Sequence, residues 1–236
     1  MTKKSLEKFI LTACMFMLFI LFTVAVKSVD TTLIWGEEIG FSKVNLAVHQ
    51  ILQTNETFDL LSDLCFGFSI CLAIALVVVG VVQLVKRKSI KKVDKEILIA
   101  GVVLVLTAVV YLFFEFVIIN YRPILVDGEL DASYPSSHIL FGMVINIISL
   151  GYLNKVIKAP KFKIPALAGV GAVTLLGVVF RVFSGVHWLT DIVGALLISL
   201  ALVMLYFSCT ELEFGAKKDL AKNEENKEEN AIKVNN

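Results

Sequence analysis

Arg181, His187 and Asp191 stand within the stretch Phe180–Asp191, between two long apolar runs. Arg181 closes one run, Ser184-Gly185 supplies turn chemistry, and His187 and Asp191 open the next run four residues apart, a spacing that puts them on one helix face. A carboxylate one turn inside an apolar run is costly without a partner, and His187 is the natural one. If Asp191 accepts the Nδ1 proton, the tautomer is fixed and Nε2 is left to attack an electrophile or to bind a metal. Upstream, Arg122-Pro123 and Pro135-Ser136-Ser137-His138 flank a second polar stretch. Two guanidiniums, the serine hydroxyls and the amino end of a helix capped by Ser136 or Ser137 together suit a phosphate. Singly, each residue has an ordinary use: an arginine snorkels to headgroups, a serine caps a helix, a histidine sits at an interface. Two histidines and a carboxylate could also hold zinc, but neighbouring guanidiniums make a poor cation site. A serine nucleophile is the other rival, and no Gly-x-Ser-x-Gly elbow supports it.

The elements that position these residues are membrane spans. The chain has 236 residues, 57% of them hydrophobic, and a mean hydropathy of +0.82, more apolar surface than a soluble core of this length uses. The net charge of +1 argues for no nucleic-acid partner, since the basic residues cluster at the ends of apolar runs instead of covering one face. Cys14, Cys65 and Cys71 lie inside apolar runs and Cys209 at the end of one, a pattern expected of free, buried thiols with no metal-ligand spacing.

Six spans are expected, at 9–26, 58–85, about 96–119, 138–155, 164–181 and 188–208. The first could be mistaken for a cleaved signal peptide, but it is long for one and Thr23-Val24-Ala25 is a weak cleavage site. Between the first two spans, Phe41, Val44, Val48, Ile51 and Leu52 recur at helical spacing, as in an amphipathic helix on the membrane surface, with a plain loop as the rival reading. His49 reads as polar surface there, and Asn55-Glu56-Thr57 is a sequon that matters only in a secretory pathway. Pro123 is expected to stop the third span. Lys86 to Lys95 and Lys155 to Lys163 form two basic loops, cytoplasmic by the positive-inside rule, and both termini then lie on the cytoplasmic side of a cell membrane. The tail, 209–236, is rich in Lys, Glu and Asn and is expected to be disordered, leaving a single membrane domain over 1–208.

With that topology Arg122, Ser136, Ser137, His138, Arg181, His187 and Asp191 all fall at the outer ends of spans three to six. The chain resembles the type-2 phosphatidic acid phosphatase family, integral membrane lipid phosphatases related to bacterial acid phosphatases and vanadium haloperoxidases, over about residues 60–208. Three motifs carry the resemblance in order: Arg122-Pro123, where Glu115 occupies the family's lysine position; Pro135-Ser136-Ser137-His138, with Ser137 in place of glycine; and Arg181, His187 and Asp191, with Phe180 in place of serine.

The resemblance implies an all-α, six-helix membrane bundle with its site at the extracytoplasmic ends of helices three to six. It also implies a metal-free mechanism with no cofactor. His187 would attack phosphorus to form a phosphohistidine, Asp191 would hold its tautomer, and His138 would protonate the leaving alkoxide and later activate water. Arg122, Arg181, Ser136 and Ser137 would hold the phosphate oxygens. Glu115, seven residues before Arg122 and so about 10 Å deeper on one helix face, would temper an over-cationic site by pairing with Arg122 or Arg181. A lipid phosphate at headgroup depth is the expected substrate, with phosphatidic acid, phosphatidylglycerol phosphate and undecaprenyl diphosphate all fitting. A binder or transporter of phospholipid or polyprenyl phosphate using the same anion site is the alternative. An oxidase using vanadate in the same pocket has no feature in its favour.

Overall fold

The computed structural model describes the backbone from 3 to 234 and the side chains from 5 to 211. Among the described residues, six helices are long and apolar enough to cross a membrane: α1 (Lys3–Ser28), α3 (Glu56–Arg87), α4 (Lys95–Phe116), α5 (Ser137–Val156), α6 (Pro160–Phe183) and α7 (Leu189–Val234), the last crossing over Leu189–Glu211. In hydrocarbon every backbone N–H and C=O must be satisfied within the segment, so runs of this composition have little choice but helix. Local signals set several ends. Asn55 caps α3 by accepting from Phe58 N at 3.1 Å, Lys88 ends it in a left-handed conformation, and Pro160 opens α6 at a position where no N–H is needed.

Most helices extend a few residues beyond the expected spans, and two ends differ in kind. The third span stops at Phe116, before the expected 119 and well ahead of Pro123, because Asn120 and Tyr121 pair with the segment after them instead of continuing the helix. At the other end of the chain α7 runs past 208, and Cys209, Thr210 and Glu211 form its next turn with Thr210 buried. The tail expected to be disordered lies, from 212 onward, outside the residues whose side chains are described.

Helices α5 and α7 form the middle of the bundle. Leu140, Val144 and Ile148 of α5 face Ile198, Leu202 and Tyr206 of α7 in one buried cluster. The other helices flank this pair, α1 and α4 against α7 and α3 and α6 against α5. Lipid tails are as apolar as leucine, so close packing decides these contacts more than removal from water does. Small residues permit it: a Cβ at Gly194 would come within 2.4 Å of the Tyr134 ring, which crosses α7 there and bonds Thr23 of α1 at 2.7 Å.

At the lysine-rich end of the bundle, Lys8 pairs with Glu211, Lys155 with Glu96 at 2.5 Å and Arg87 with Asp94 at 2.8 Å, closing the helix ends around a 3-10 turn at Ile90–Lys92. The opposite end carries the remaining elements. Strands β1 (Thr32–Ile34) and β2 (Glu37–Ile39) form a hairpin whose turn, Trp35-Gly36, has positive φ at both residues, as a twisted two-residue turn requires. Helix α2 (Ser42–Leu52) follows.

The predicted surface helix therefore forms, but its seating differs. Val44 and Ile51 are exposed while Ser42 and Asn45 are buried, and Asn45 exchanges hydrogen bonds with Thr190 at the start of α7. Polar bonds to the bundle, and not an apolar face alone, decide where α2 lies. His49 also has a partner, the Trp188 ring, edge-on at 5.5 Å between centroids.

Candidate functional site

Arg181 sits in the last turn of α6 and is buried, 3% exposed. The chain then turns through Ser184 and Gly185, whose φ of +67° favours glycine, and presents His187 two residues before α7 begins. His187 is therefore not on the helix with Asp191, and the helical i, i+4 geometry expected from the spacing does not apply. Their closest approach is 3.6 Å between Nδ1 and Oδ2, longer than a hydrogen bond. The Asp191 carboxylate instead accepts from Trp188 N at 3.0 Å and from Asn120 Nδ2 at 3.1 Å, so it ties the turn to the segment following α4. Trp188 adds a second tie, Nε1 to the Tyr121 carbonyl at 2.7 Å.

The tautomer of His187 follows from its other nitrogen. Nε2 lies 3.1 Å from Arg181 Nη2, and a guanidinium can only donate, so Nε2 must offer its lone pair and the proton belongs on Nδ1. Burial pushes this imidazole well below its usual pKa, and the charges of Arg181 and Arg122 push the same way. A neutral imidazole with its Nε2 lone pair beside a guanidinium has the form a nucleophile toward phosphorus needs.

Arg122 is placed by a short ribbon, in which Tyr121 bridges Ala132 and Val126 bridges Glu129 around Asp127-Gly128. Its N–H donates to the Asp131 carbonyl at 3.0 Å and its Nε to the Asp131 carboxylate at 2.8 Å. A cavity of about 400 Å³, counting its open mouth, is lined by Glu115, Arg122, Asp131, Ser137 and His187 with Tyr111 and Tyr134. Glu115 reaches this cavity from the last turn of α4 while Arg122 lies beyond the helix, so the two are not stacked on one helical face as their spacing suggests. Nor does Glu115 take either arginine: its side chain faces Tyr111, while Arg122 holds Asp131 and Arg181 holds Asp59.

The serines divide. Ser137, the first residue of α5, lines the cavity, whereas Ser136 is fully buried, with its N–H on the Asp191 carbonyl at 3.3 Å and a hydroxyl that makes no bond to its own helix. His138 is not in this cavity. It borders a neighbouring crevice between α3, α5 and α6, lies on the Phe66 ring at 4.4 Å and meets Asp63 Oδ1 through Nε2 at 2.9 Å.

Two carboxylates of α3 were absent from the sequence reading. Asp59 meets Arg181 Nη1 at 2.6 Å, and Asp63, one turn on, stands 3.9 Å from the same nitrogen while holding His138. Acidic residues in the first turns of a helix ordinarily offset its dipole, which hides any other use. What marks them is their place in an otherwise apolar run. Asn120 was also missed, since a lone asparagine at the end of a span carries no distinguishing signal. With Glu115 and Asp131 counted, the site is not over-cationic: each arginine already has a carboxylate. No set of three or more His, Cys, Asp or Glu side chains arranged to hold a metal occurs among the described residues.

This bundle, with its polar cluster at one end of α4 to α7, agrees with the comparison to known families. The model of the PAP2 superfamily matches residues 97–214, half of the chain, and the chain belongs to that superfamily. Arg122, Ser136, Ser137, His138, Arg181, His187 and Asp191 all lie within the matched segment, while Asp59 and Asp63 lie outside it. Among solved structures, the first transmembrane PAP2-type phosphatidylglycerolphosphate phosphatase from Bacillus subtilis is similar in fold. Its TM-score is 0.62 at 19% identity, over 85% of this chain and 96% of that one. Six crossing helices and this likeness make the protein a multi-pass membrane protein. No curated protein matches the sequence.

Proposed function

We propose that this protein is a metal-independent lipid phosphatase acting through a phosphohistidine, with His187 as nucleophile and the site on the extracytoplasmic side of a cell membrane. The observation that carries this reading is the contact of 3.1 Å between Arg181 Nη2 and His187 Nε2, which holds a neutral imidazole lone pair beside a phosphate-binding group in a cavity shared with Arg122 and Ser137. The Nε2 lone pair attacks phosphorus and the bond from phosphorus to the lipid oxygen breaks. That oxygen takes its proton from His138, which reaches it from the neighbouring crevice once Asp63 gives up Nε2. Water then loses a proton to His138, its oxygen attacks phosphorus, and the P–N bond breaks to regenerate neutral His187. Arg122, Arg181 and Ser137 in the first turn of α5 stabilise the oxygens on which charge accumulates, while the buried Ser136 holds the start of that helix against Asp191.

The dense basic loops at the opposite end support a cytoplasmic placement of that end and of both termini. The site then lies at headgroup depth, where a lipid tail stays in the bilayer while its phosphate reaches the arginines. Phosphatidylglycerol phosphate gains weight from the similar structure, and phosphatidic acid and undecaprenyl diphosphate remain in the class. The deciding measurement is phosphate release from these three lipids, in detergent with EDTA, by the wild type and by His187→Ala. Turnover that survives EDTA and disappears in the variant is expected. A variant that retains turnover, or a wild type that releases phosphate from none of them, overturns the reading.

The second reading is a binder or transporter of phospholipid or polyprenyl phosphate. Glu115 and Asp131 inside the cavity and the separate crevice of His138 favour it. Under that reading His187→Asn keeps lipid binding, and the wild type shows binding without phosphate release.

A further inference from the structure

Arg181, assigned to the phosphate oxygens, and His138, assigned to the leaving oxygen, are both already engaged from the α3 side, Arg181 Nη1 by Asp59 at 2.6 Å and His138 Nε2 by Asp63 at 2.9 Å. Resting on the phosphatase reading above, we infer that Asp59 and Asp63 are specificity residues, standing in for the substrate phosphate so that only a strongly charged phosphate displaces them. Arg181 is buried and cannot be neutral, so it needs a counter-anion at all times. Asp59 supplies one, and its own side chain is about one-third exposed, with that of Asp63 about half exposed, so both carboxylates can rotate into headgroup water when a ligand arrives. They leave at little cost, but they leave only for a better anion.

The consequence concerns competition. A site at headgroup depth is surrounded by phosphodiester lipids, each carrying a single negative charge on its phosphate, in great excess over any monoester. A bare guanidinium, with the imidazole N–H of His138 beside it, would bind these indiscriminately. With a carboxylate on each, a monoanionic diester exchanges one anion for another and gains nothing, whereas a dianionic monoester or a terminal diphosphate brings the second charge that rewards the exchange. Charges elsewhere in the site act in the same sense. Glu115 and Asp131 from the α4 side add repulsion that a weak anion does not overcome, while Arg122 attracts the second charge of a strong one.

The test compares Asp59→Asn and Asp63→Asn with the wild type and with Asp127→Asn, which removes an exposed carboxylate from the ribbon turn. Binding of inorganic phosphate and of a short-chain phosphatidylglycerol, a monoanionic diester, is measured calorimetrically in detergent at about pH 8, where inorganic phosphate is a dianion. The diester should gain on the order of ten-fold in affinity in each α3 variant, more than phosphate gains, so that discrimination narrows. Asp127→Asn should leave both affinities as in the wild type. A gain in affinity is not a result that damage to folding produces. Unchanged diester affinity in both α3 variants, equal gains for the two ligands, or the same gain in Asp127→Asn overturns the inference. Loss of the phosphatase reading would show differently, as a wild type that releases no phosphate or a His187→Ala variant that still does.

Discussion

Gly185 lies so close to the backbone of Gln53 that a Cβ at 185 would stand 1.9 Å from the Gln53 carbonyl oxygen. The segment between α2 and α3 rests on the turn that presents His187, and Asn55 N donates to the Ser184 carbonyl at 2.9 Å beside it. Gly185→Ala adds both that clash and a residue strained at φ +67°. We expect a loss of about 2 kcal/mol or more. In a thermal unfolding assay this is a fall of about 5 °C, and turnover should fall with it because the turn must move. A variant with wild-type melting and turnover would show that the segment yields at no cost.

Asn120→Ala removes the Nδ2 donor that Asp191 accepts at 3.1 Å, leaving a fully buried carboxylate with one partner fewer. The cost should be about 1–3 kcal/mol in stability. Because Asp191 sets the turn that aims His187, kcat should drop about 10- to 100-fold with KM little changed. Equal kcat in variant and wild type would remove Asn120 from the supporting frame.

The depressed pKa of His187 makes a prediction about acid. Burial and two arginines keep the folded-state imidazole neutral below its usual range, while the unfolded chain takes up a proton near pH 6.5. The unfolded state then binds more protons, so the contribution to stability is complete above that pH and is lost as pH falls through it. His187→Gln, which cannot titrate, should show a melting temperature less sensitive to acid than the wild type between about pH 7 and 5. The same neutrality means that the acid limb of kcat/KM should lie below the usual histidine value. Parallel melting profiles for the two proteins would contradict a buried neutral imidazole.

Glu115 stands in the cavity where the resemblance implies a lysine, and it faces the same space as Arg122 and His187. Replacing it by glutamine removes one negative charge next to the phosphate. KM for the lipid phosphate should fall several-fold, on the scale of a charge pair at intermediate dielectric. Wild-type kinetics in Glu115→Gln would end its role as a modulator.

Much of the architecture was legible because bilayers leave few options. Apolar runs of this length must be helices, and Lys86–Lys95 and Lys155–Lys163 mark one common end by their charge alone. Helical periodicity, however, does not extend past a helix end. His187 and Asp191 are four apart, and Glu115 and Arg122 seven, yet one member of each pair lies outside its helix, so neither spacing means one face.

The spans, their alternating direction, the family motifs and the gathering of Arg122, His138, Arg181 and His187 at one end follow from amino-acid order alone, because each depends on local composition. Tertiary structure decided which groups touch. It put Ser137 and not Ser136 in the cavity, gave Asp191 to Asn120 and Trp188, and brought Asp59 and Asp63 across from α3 to Arg181 and His138. Those pairings join residues up to 122 positions apart. Side-chain reach across packed helices, set by rotation of each helix about its own axis, leaves no periodic trace in the chain.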